Sequence, residues 1–368
     1  MKREMTRALT VFAVTTVLGL IALGVLVRVA WTYGDRPGGT AQGKVEIEIP
    51  PGAGAGEVAD RLAAAGLIGN PAIFRLYAGQ RGVASRFKAG KYEIAAPASP
   101  RQILEVLVKG AADELVAVVI PPGKNLVDVA EILDAAGVTP RAAVLMKASD
   151  PAFAAELGLP GATLEGYLYP DTYKLRPHTP AARALIPMVR RHRQVFAELK
   201  ATHAKNVAEL KKTLGFDDAK IVTLASIVEK ETGRGEERPR IAQVFMNRMR
   251  FPTFSPKLLQ TDPTIIYGCT VATPRSAACL KWDGRIRRIQ LDDRDNPYNT
   301  YTHEGLPPGP ISNPGRAALE AVMAPDHTPF LYFVAKNDGT GSHYFSKTVA
   351  EHNAAVVKYQ RGGKPMAQ

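Results

Sequence analysis

Cysteine is almost missing from this sequence: 368 residues hold two, Cys269 and Cys279, ten positions apart. With no Cys-x-x-Cys or His-x-x-x-His beside them, two thiols and seven scattered histidines do not complete a tetrahedral zinc site, so no metal is expected. In an oxidising compartment the pair would instead close a surface loop as a disulfide. Gly-x-x-x-x-Gly-Lys-Ser/Thr, Gly-x-Ser-x-Gly and His-Glu-x-x-His are all absent. Nucleotide hydrolysis, α/β-hydrolase chemistry and zinc peptidase chemistry therefore lack their signatures, and no cofactor is implied. Acidic residues are in deficit, 35 against 47 Lys and Arg, for a net charge of +12. The basic run from Arg190 to Lys212 reads as a solvated helix face. No nucleic-acid module accompanies it, so no nucleic-acid partner is expected.

What is present begins with an apolar block. From Ala8 to Val27 no charged residue or Pro interrupts the aliphatics, and a helix of that length is about 30 Å long, the thickness of a bilayer's hydrocarbon core. Lys2, Arg3 and Arg7 precede it, which favours a cytoplasmic N-terminus with the remainder exported. Arg28-Val-Ala-Trp31 follows in place of small residues in an Ala-x-Ala pattern, so a retained single span is favoured over a cleaved signal peptide. The expected order is a cytoplasmic N-terminus over 1–7, a transmembrane anchor over 8–31 and a Gly-rich linker over 32–43. A basic body held at a membrane suits anionic headgroups or an anionic polymer.

Folded material is predicted from Lys44. Val45-Glu-Ile-Glu-Ile49 alternates with the period of a strand, a Pro-Pro-Gly turn follows, and Val58, Leu62 and Ala65 mark a helix. The same pattern returns 71 residues later, with Ile49, Gly52, Val58, Leu62 and Gly66 answered by Ile120, Gly123, Val129, Leu133 and Gly137. Between the copies lie a helix over 71–80, a strand near Lys91–Ile94 and a helix from Pro100. Strand, two helices and strand is the outline of a small LysM-like βααβ module, placed at 44–114.

One carboxylate stands out downstream. In the helix opened by Asp217-Asp218, Ile221, Leu224, Ala225, Ile227 and Val228 share a face at about 100° per residue. Glu231 continues that face, roughly 50° from its centre, whereas Glu229 lies roughly 110° off on the other flank. Gly233 is expected to stop the helix just past Glu231. A carboxyl among aliphatics has its acidity weakened by desolvation, as a general acid at neutral pH requires. The competing reading is a salt bridge from Arg234 or Arg238 to Glu231. Further on, Leu259–Thr264 with Tyr267, Asn299–Tyr301 and Gly305–Asn313 combine Pro, Gly, Tyr and amide groups. Rigid loops carrying aromatic faces and hydrogen-bonding side chains suit a sugar polymer.

Several stretches together resemble the endolytic murein transglycosylases, the MltG (YceG-like) family. They are Phe87–Tyr92 (FKAGKY), Glu165–Tyr173 (EGYLYPDTY), Ala225–Thr232 (ASIVEKET), Leu259–Gly268 (LQTDPTIIYG), Tyr298–Tyr301 (YNTY), Gly305–Gly309 (GLPPG) and Tyr332–Val334 (YFV). The resemblance is least over Cys269–Trp282. It implies an α+β protein with a single N-terminal transmembrane helix, the LysM-like module, and a mixed α/β lytic-transglycosylase-like catalytic region over 115–360, followed by a tail over 361–368. It implies a lyase, cleaving the β-1,4 bond between N-acetylmuramic acid and N-acetylglucosamine to leave a 1,6-anhydro end. The glutamate corresponding to the family's catalytic residue is Glu231, with Glu229 as the alternative. Gln260, Thr261, Asp262, Tyr267, Asn299, Tyr301, Glu165 and Tyr169 are candidates for positioning the sugars. The implied partners are peptidoglycan strands, the inner membrane and peptidoglycan synthases, with the catalytic region periplasmic. A hydrolytic muramidase using Asp262 or Asp171 to activate water, and a noncatalytic peptidoglycan-binding scaffold, are the rival readings.

Overall fold

Alternating side chains set the first sheet. β1 (Gly43–Ile49) pairs antiparallel with β2 (Gly90–Ala96), and Ile47, Ile49, Tyr92 and Ile94 are buried on one face. The structure is a computed structural model and describes residues 32–110, 115–360 and 362. It divides into two compact units, 1–114 and 115–368. In the first, α1 (Ala55–Ala64) buries Val58, Ala59 and Leu62 against that sheet. Next, α2 (Pro71–Gln80) begins where the Asn70 side chain accepts from the Ala72 and Ile73 amides. It adds Phe74 and Tyr77 to the core. After β2, α3 (Pro100–Lys109) starts at a Ser99/Gln102 capping box and contributes Ile103, Leu104 and Leu107.

The second unit mixes helices with two small antiparallel pairs. β3 (Val116–Val119) pairs with β4 (Thr172–Leu175). They share a core with α4 (Leu126–Ala135), α5 (Arg141–Ala148), α6 (Pro151–Glu156) and the first half of α7 (Ala181–Thr202). A larger core gathers the second half of α7 with α8 (Ala204–Leu214), α9 (Asp218–Glu231), α10 (Arg238–Arg250), α11 (Asp262–Thr270) and, after the short α12 (Arg288–Leu291), α13 (Arg316–Met323). β5 (Tyr332–Ala335) and β6 (His343–Ser346) then pair, and α14 (Val349–Gln360) packs on them. α9 lies at the centre of this unit, packed by α10, α11 and α13.

The 71-residue repeat is visible in the coordinates. α1 starts at Ala55 and α4 at Leu126, and they end at Ala64 and Ala135. Gly52 and Gly123 turn with φ of 83° and 76°, a region that glycine enters without steric cost.

The expected fold class needs correction. The anticipated transmembrane helix over 8–31 lies outside the described residues, and among the described residues no helix is long and apolar enough to cross a membrane. The LysM-like reading is also withdrawn. Strand, helix, helix and strand are followed by α3, whose Ile103, Leu104 and Leu107 complete the same core, and such an order is common to many small helix-and-sheet domains. The second unit is helix and sheet mixed, as expected, with its strands confined to two-stranded pairs. Cys269 and Cys279 are bonded, but not at a surface loop: both are buried beside Ile265, with Trp282, Ile286, Leu291 and Tyr301 packed around them.

Candidate active site

The apolar stripe of α9 makes it a buried axis. Every residue from Ile221 to Val228 is buried, and Asp217 caps the start by accepting from the Lys220 amide at 2.8 Å. The loop Gly305–Asn313 is bound to its middle: the Ile311 amide donates to Ser226 Oγ at 3.0 Å, and Ser312 Oγ donates to the Ser226 carbonyl at 3.1 Å. The helix ends at Glu231 because Thr232 turns extended, with φ of −145°, and its hydroxyl accepts from the Arg234 amide. That stop comes one residue before the expected Gly233.

The two glutamates near this end meet different surroundings. Glu229 is nearly enclosed and committed, accepting from Arg238 Nη2 at 2.9 Å and from the Gly315 amide at 2.9 Å. Glu231 forms no salt bridge among the described residues. Arg238 goes to Glu229 instead, while Arg234 goes to Glu236 and the Thr340 carbonyl. Glu231 accepts from the Thr261 hydroxyl, while part of its side chain stays open to solvent. Dense surrounding protein pushes its carboxyl up to about 7 by desolvation. The nearby negative charge of Asp262 pushes the same way, and the Thr261 hydrogen bond and the positive charge of Arg248 oppose both.

A short ladder presents Thr261. The Gln260 amide donates to the Thr300 carbonyl at 3.0 Å, the Thr261 amide to Thr300 Oγ1 at 3.1 Å, and the Tyr301 hydroxyl to Asp262 Oδ1 at 2.6 Å. Gln260 takes a left-handed φ of 52°, which a non-glycine residue adopts only at a steric cost, and lies exposed at the start of the ladder. Asp262 opens α11 and is exposed. Arg248, buried on α10, donates from Nε to the Leu331 carbonyl at 2.7 Å and from Nη1 to the Leu259 carbonyl, so it holds the segment leading into the ladder. Its guanidinium lies against the rings of Phe254 and Tyr332, and burial lowers its pKa to about 10.

A second polar system lies in the interior. Glu165 is buried and accepts from the Leu126 amide at 3.0 Å, from the Tyr267 hydroxyl at 3.2 Å and from Asn313 Nδ2 at 3.3 Å. Burial pushes its carboxyl up to about 8, against the pull of the Leu126 amide and the Tyr267 hydroxyl. Asn313 also accepts from the Leu168 amide and donates to the Lys124 carbonyl, which ties together three distant stretches of chain.

The structure thus brings together Glu231, Thr261, Asp262 and Tyr301, with Gln260 beside them. It assigns Glu165 and Tyr267 to the interior network. Asn299 is fully buried, its Nδ2 donating to the carbonyls of Gln290, Leu291 and Asp293, which shapes the loop before Tyr301. Tyr169 is a core residue with Arg191 over its ring and its carbonyl accepting from Tyr173. No cluster of potential metal ligands occurs among the described residues.

The model of the YceG-like family matches residues 47–358. This chain belongs to the YceG-like family. It is similar to the protein named endolytic murein transglycosylase from Bacillus subtilis (strain 168), 31% identical over 330 residues, which cover 86% of this chain and 84% of that one. A protein of the same name from Streptococcus pneumoniae serotype 2 is 30% identical over 349 residues, covering 86% of this chain and 58% of that longer one. Among solved structures, the putative YceG-like protein of Listeria monocytogenes superposes with a TM-score of 0.51 at 33% identity, covering 85% of this chain and 99% of that one.

One residue of this YceG-like site, Arg248, has no place among the sequence expectations, and Asn313 enters them only as the end of the Gly305–Asn313 loop. Arg248 follows Ile241 by seven positions and Val244 by four, so it continues the apolar face of α10 as Glu231 continues that of α9. The same periodicity would have found it. Asn313 carries no local signal, because its partners lie 145 to 189 positions away.

Proposed function

We propose that Glu231 is the single general acid/base with which this YceG-like peptidoglycan transglycosylase breaks the β-1,4 bond between N-acetylmuramic acid and N-acetylglucosamine. As the C1–O bond breaks, Glu231 gives its proton to the departing oxygen. The resulting carboxylate then accepts the proton of the muramic acid 6-hydroxyl, whose oxygen bonds to C1 and closes the 1,6-anhydro ring. No water enters, and the carboxyl ends protonated as it began. An internal nucleophile makes a second, water-activating carboxylate unnecessary, because its effective concentration far exceeds that of a free reactant.

The observation carrying this reading is the contrast at the end of α9. Glu231 is desolvated to a pKa of about 7, receives one hydroxyl donor and keeps an open side, whereas Glu229 is committed to Arg238 and Gly315. The substrate class supports action outside the cytoplasm, on strands near the synthases that make them. The deciding experiment is mass spectrometry of strand ends after digestion by wild type and Glu231→Gln. Wild type is expected to leave anhydro ends, one water lighter than reducing ends, and the variant to leave strands uncut. Reducing ends from wild type, or full activity in Glu231→Gln, would overturn the reading.

A further inference from the structure

The ladder that delivers Thr261 to Glu231 also fixes the residue after it. Asp262 is the first residue of α11, and its Oδ1 is held by the Tyr301 hydroxyl at 2.6 Å. Its neighbour Thr261 is buried and hydrogen-bonded to Glu231, so the two carboxyls share one rim. Asp262 nevertheless remains exposed, and among the described residues no Lys, Arg or His pairs with it. Glu229 is tied to Arg238 and Asp326 to Arg240, whereas Asp262, like Asp217 at the start of α9, has a hydrogen-bond donor and no ion pair among the described residues. A carboxylate held in a fixed direction beside the acid, yet given no cation, presents negative charge to whatever occupies the rim.

We propose that Asp262, oriented by Tyr301, is a second catalytic carboxylate of this site, one that moves no proton and stabilises the positive charge developing on the muramic acid C1 as the glycosidic bond breaks. The inference rests on the reading of Glu231 as acid and base. Bond breaking before full attack of the 6-hydroxyl leaves the anomeric carbon cation-like, and a preorganised anion at that point lowers the barrier without being consumed. The same charge helps to keep Glu231 protonated before reaction, because two neighbouring carboxyls resist ionising together. Tyr301 supplies the direction: its hydroxyl holds Oδ1 of Asp262, and the residue as a whole is exposed. A purely structural role, as a favourable acidic residue at the start of α11, would survive replacement by Asn with little change.

The test uses the full-length chain and purified glycan strands, with Asp262→Asn and Tyr301→Phe compared to wild type in initial rate from pH 5 to 9 and in product ends. The charged or titratable groups that face Glu231 are Asp262 on α11, Arg248 on α10 and the Tyr301 phenol. Removing the one fixed negative charge among them shifts the alkaline limb of the rate profile to lower pH. Asp262→Asn is expected to lose about 10²-fold in kcat, with KM little changed and anhydro ends retained. Tyr301→Phe is expected to lose less, with the same product. Rates for Asp262→Asn within threefold of wild type, or an unmoved alkaline limb, would overturn the inference while wild-type anhydro ends left the role of Glu231 standing. Reducing ends from wild type would overturn that underlying reading instead, whatever the variants did.

Discussion

Two regions of the second unit each hold a carboxyl whose acidity burial has weakened, and α11 touches both. At its start, Thr261 meets Glu231, and two turns later Tyr267 meets Glu165. Both carboxyls are protonated more readily than a free glutamate, to about 7 and about 8. Desolvation alone therefore does not single out the proposed acid. Glu165 is enclosed and accepts from three separate groups, whereas Glu231 accepts from one hydroxyl and has an open side. What separates Glu165 from the proposed acid Glu231 is the number of protein donors each accepts from and the partial exposure of residue 231.

The sharpest way to break this distinction is to exchange the two losses. Glu231→Gln should cut strand cleavage by about 10²- to 10⁴-fold while leaving the urea midpoint near that of wild type. Glu165→Ala should do the reverse. It leaves the Leu126 amide, the Tyr267 hydroxyl and one Asn313 donor without their acceptor, at a cost of about 1–3 kcal/mol, while activity per folded molecule falls less than tenfold. Abolished activity with unchanged stability in Glu165→Ala would erase the contrast.

The pH responses separate the regions next. With Glu231 as the proposed acid, cleavage needs it protonated, so its rate should fall as pH rises through about 7. Glu165 enters stability through linkage. Its folded pKa is raised from 4.5 to about 8, so the folded chain keeps a proton that the unfolded chain releases. The stability this group contributes is complete below pH 4.5 and declines as pH rises through about 8. Urea midpoints measured from pH 5 to 8 should fall less steeply in Glu165→Gln than in wild type.

The smallest expected effect is at the single donor. Thr261→Val removes the hydrogen bond that holds the Glu231 carboxyl down, so the alkaline limb of the rate should move to higher pH, with a rate loss of only severalfold. A limb moving to lower pH would show that the hydroxyl does not act on the ionised form.

Much of this site was legible in the sequence because it rests on helical periodicity. Three-and-four spacing placed Glu231 in line with the apolar residues of α9, and it would have placed Arg248 likewise on α10, although the structure buries α9 on every side and encloses Glu229 as well. The repeat was equally legible, since a turn glycine and the helix after it depend on neighbouring residues alone. Asn299, Glu165 and Tyr169 were harder. Amides, carboxylates and phenols serve buried networks and sugar recognition alike, and only their partners tell which.

The sequence by itself determined which glutamate lies on the apolar face of α9, because one helix's geometry depends on spacing and nothing else. Only the tertiary structure decided that Glu229 is paired with a cation and Glu231, among the described residues, is not. Arg238 and Gly315 reach Glu229 from α10 and the start of α13, and Thr261 reaches Glu231 across 30 residues. Such pairings form only once the helices have packed, and no local pattern encodes them.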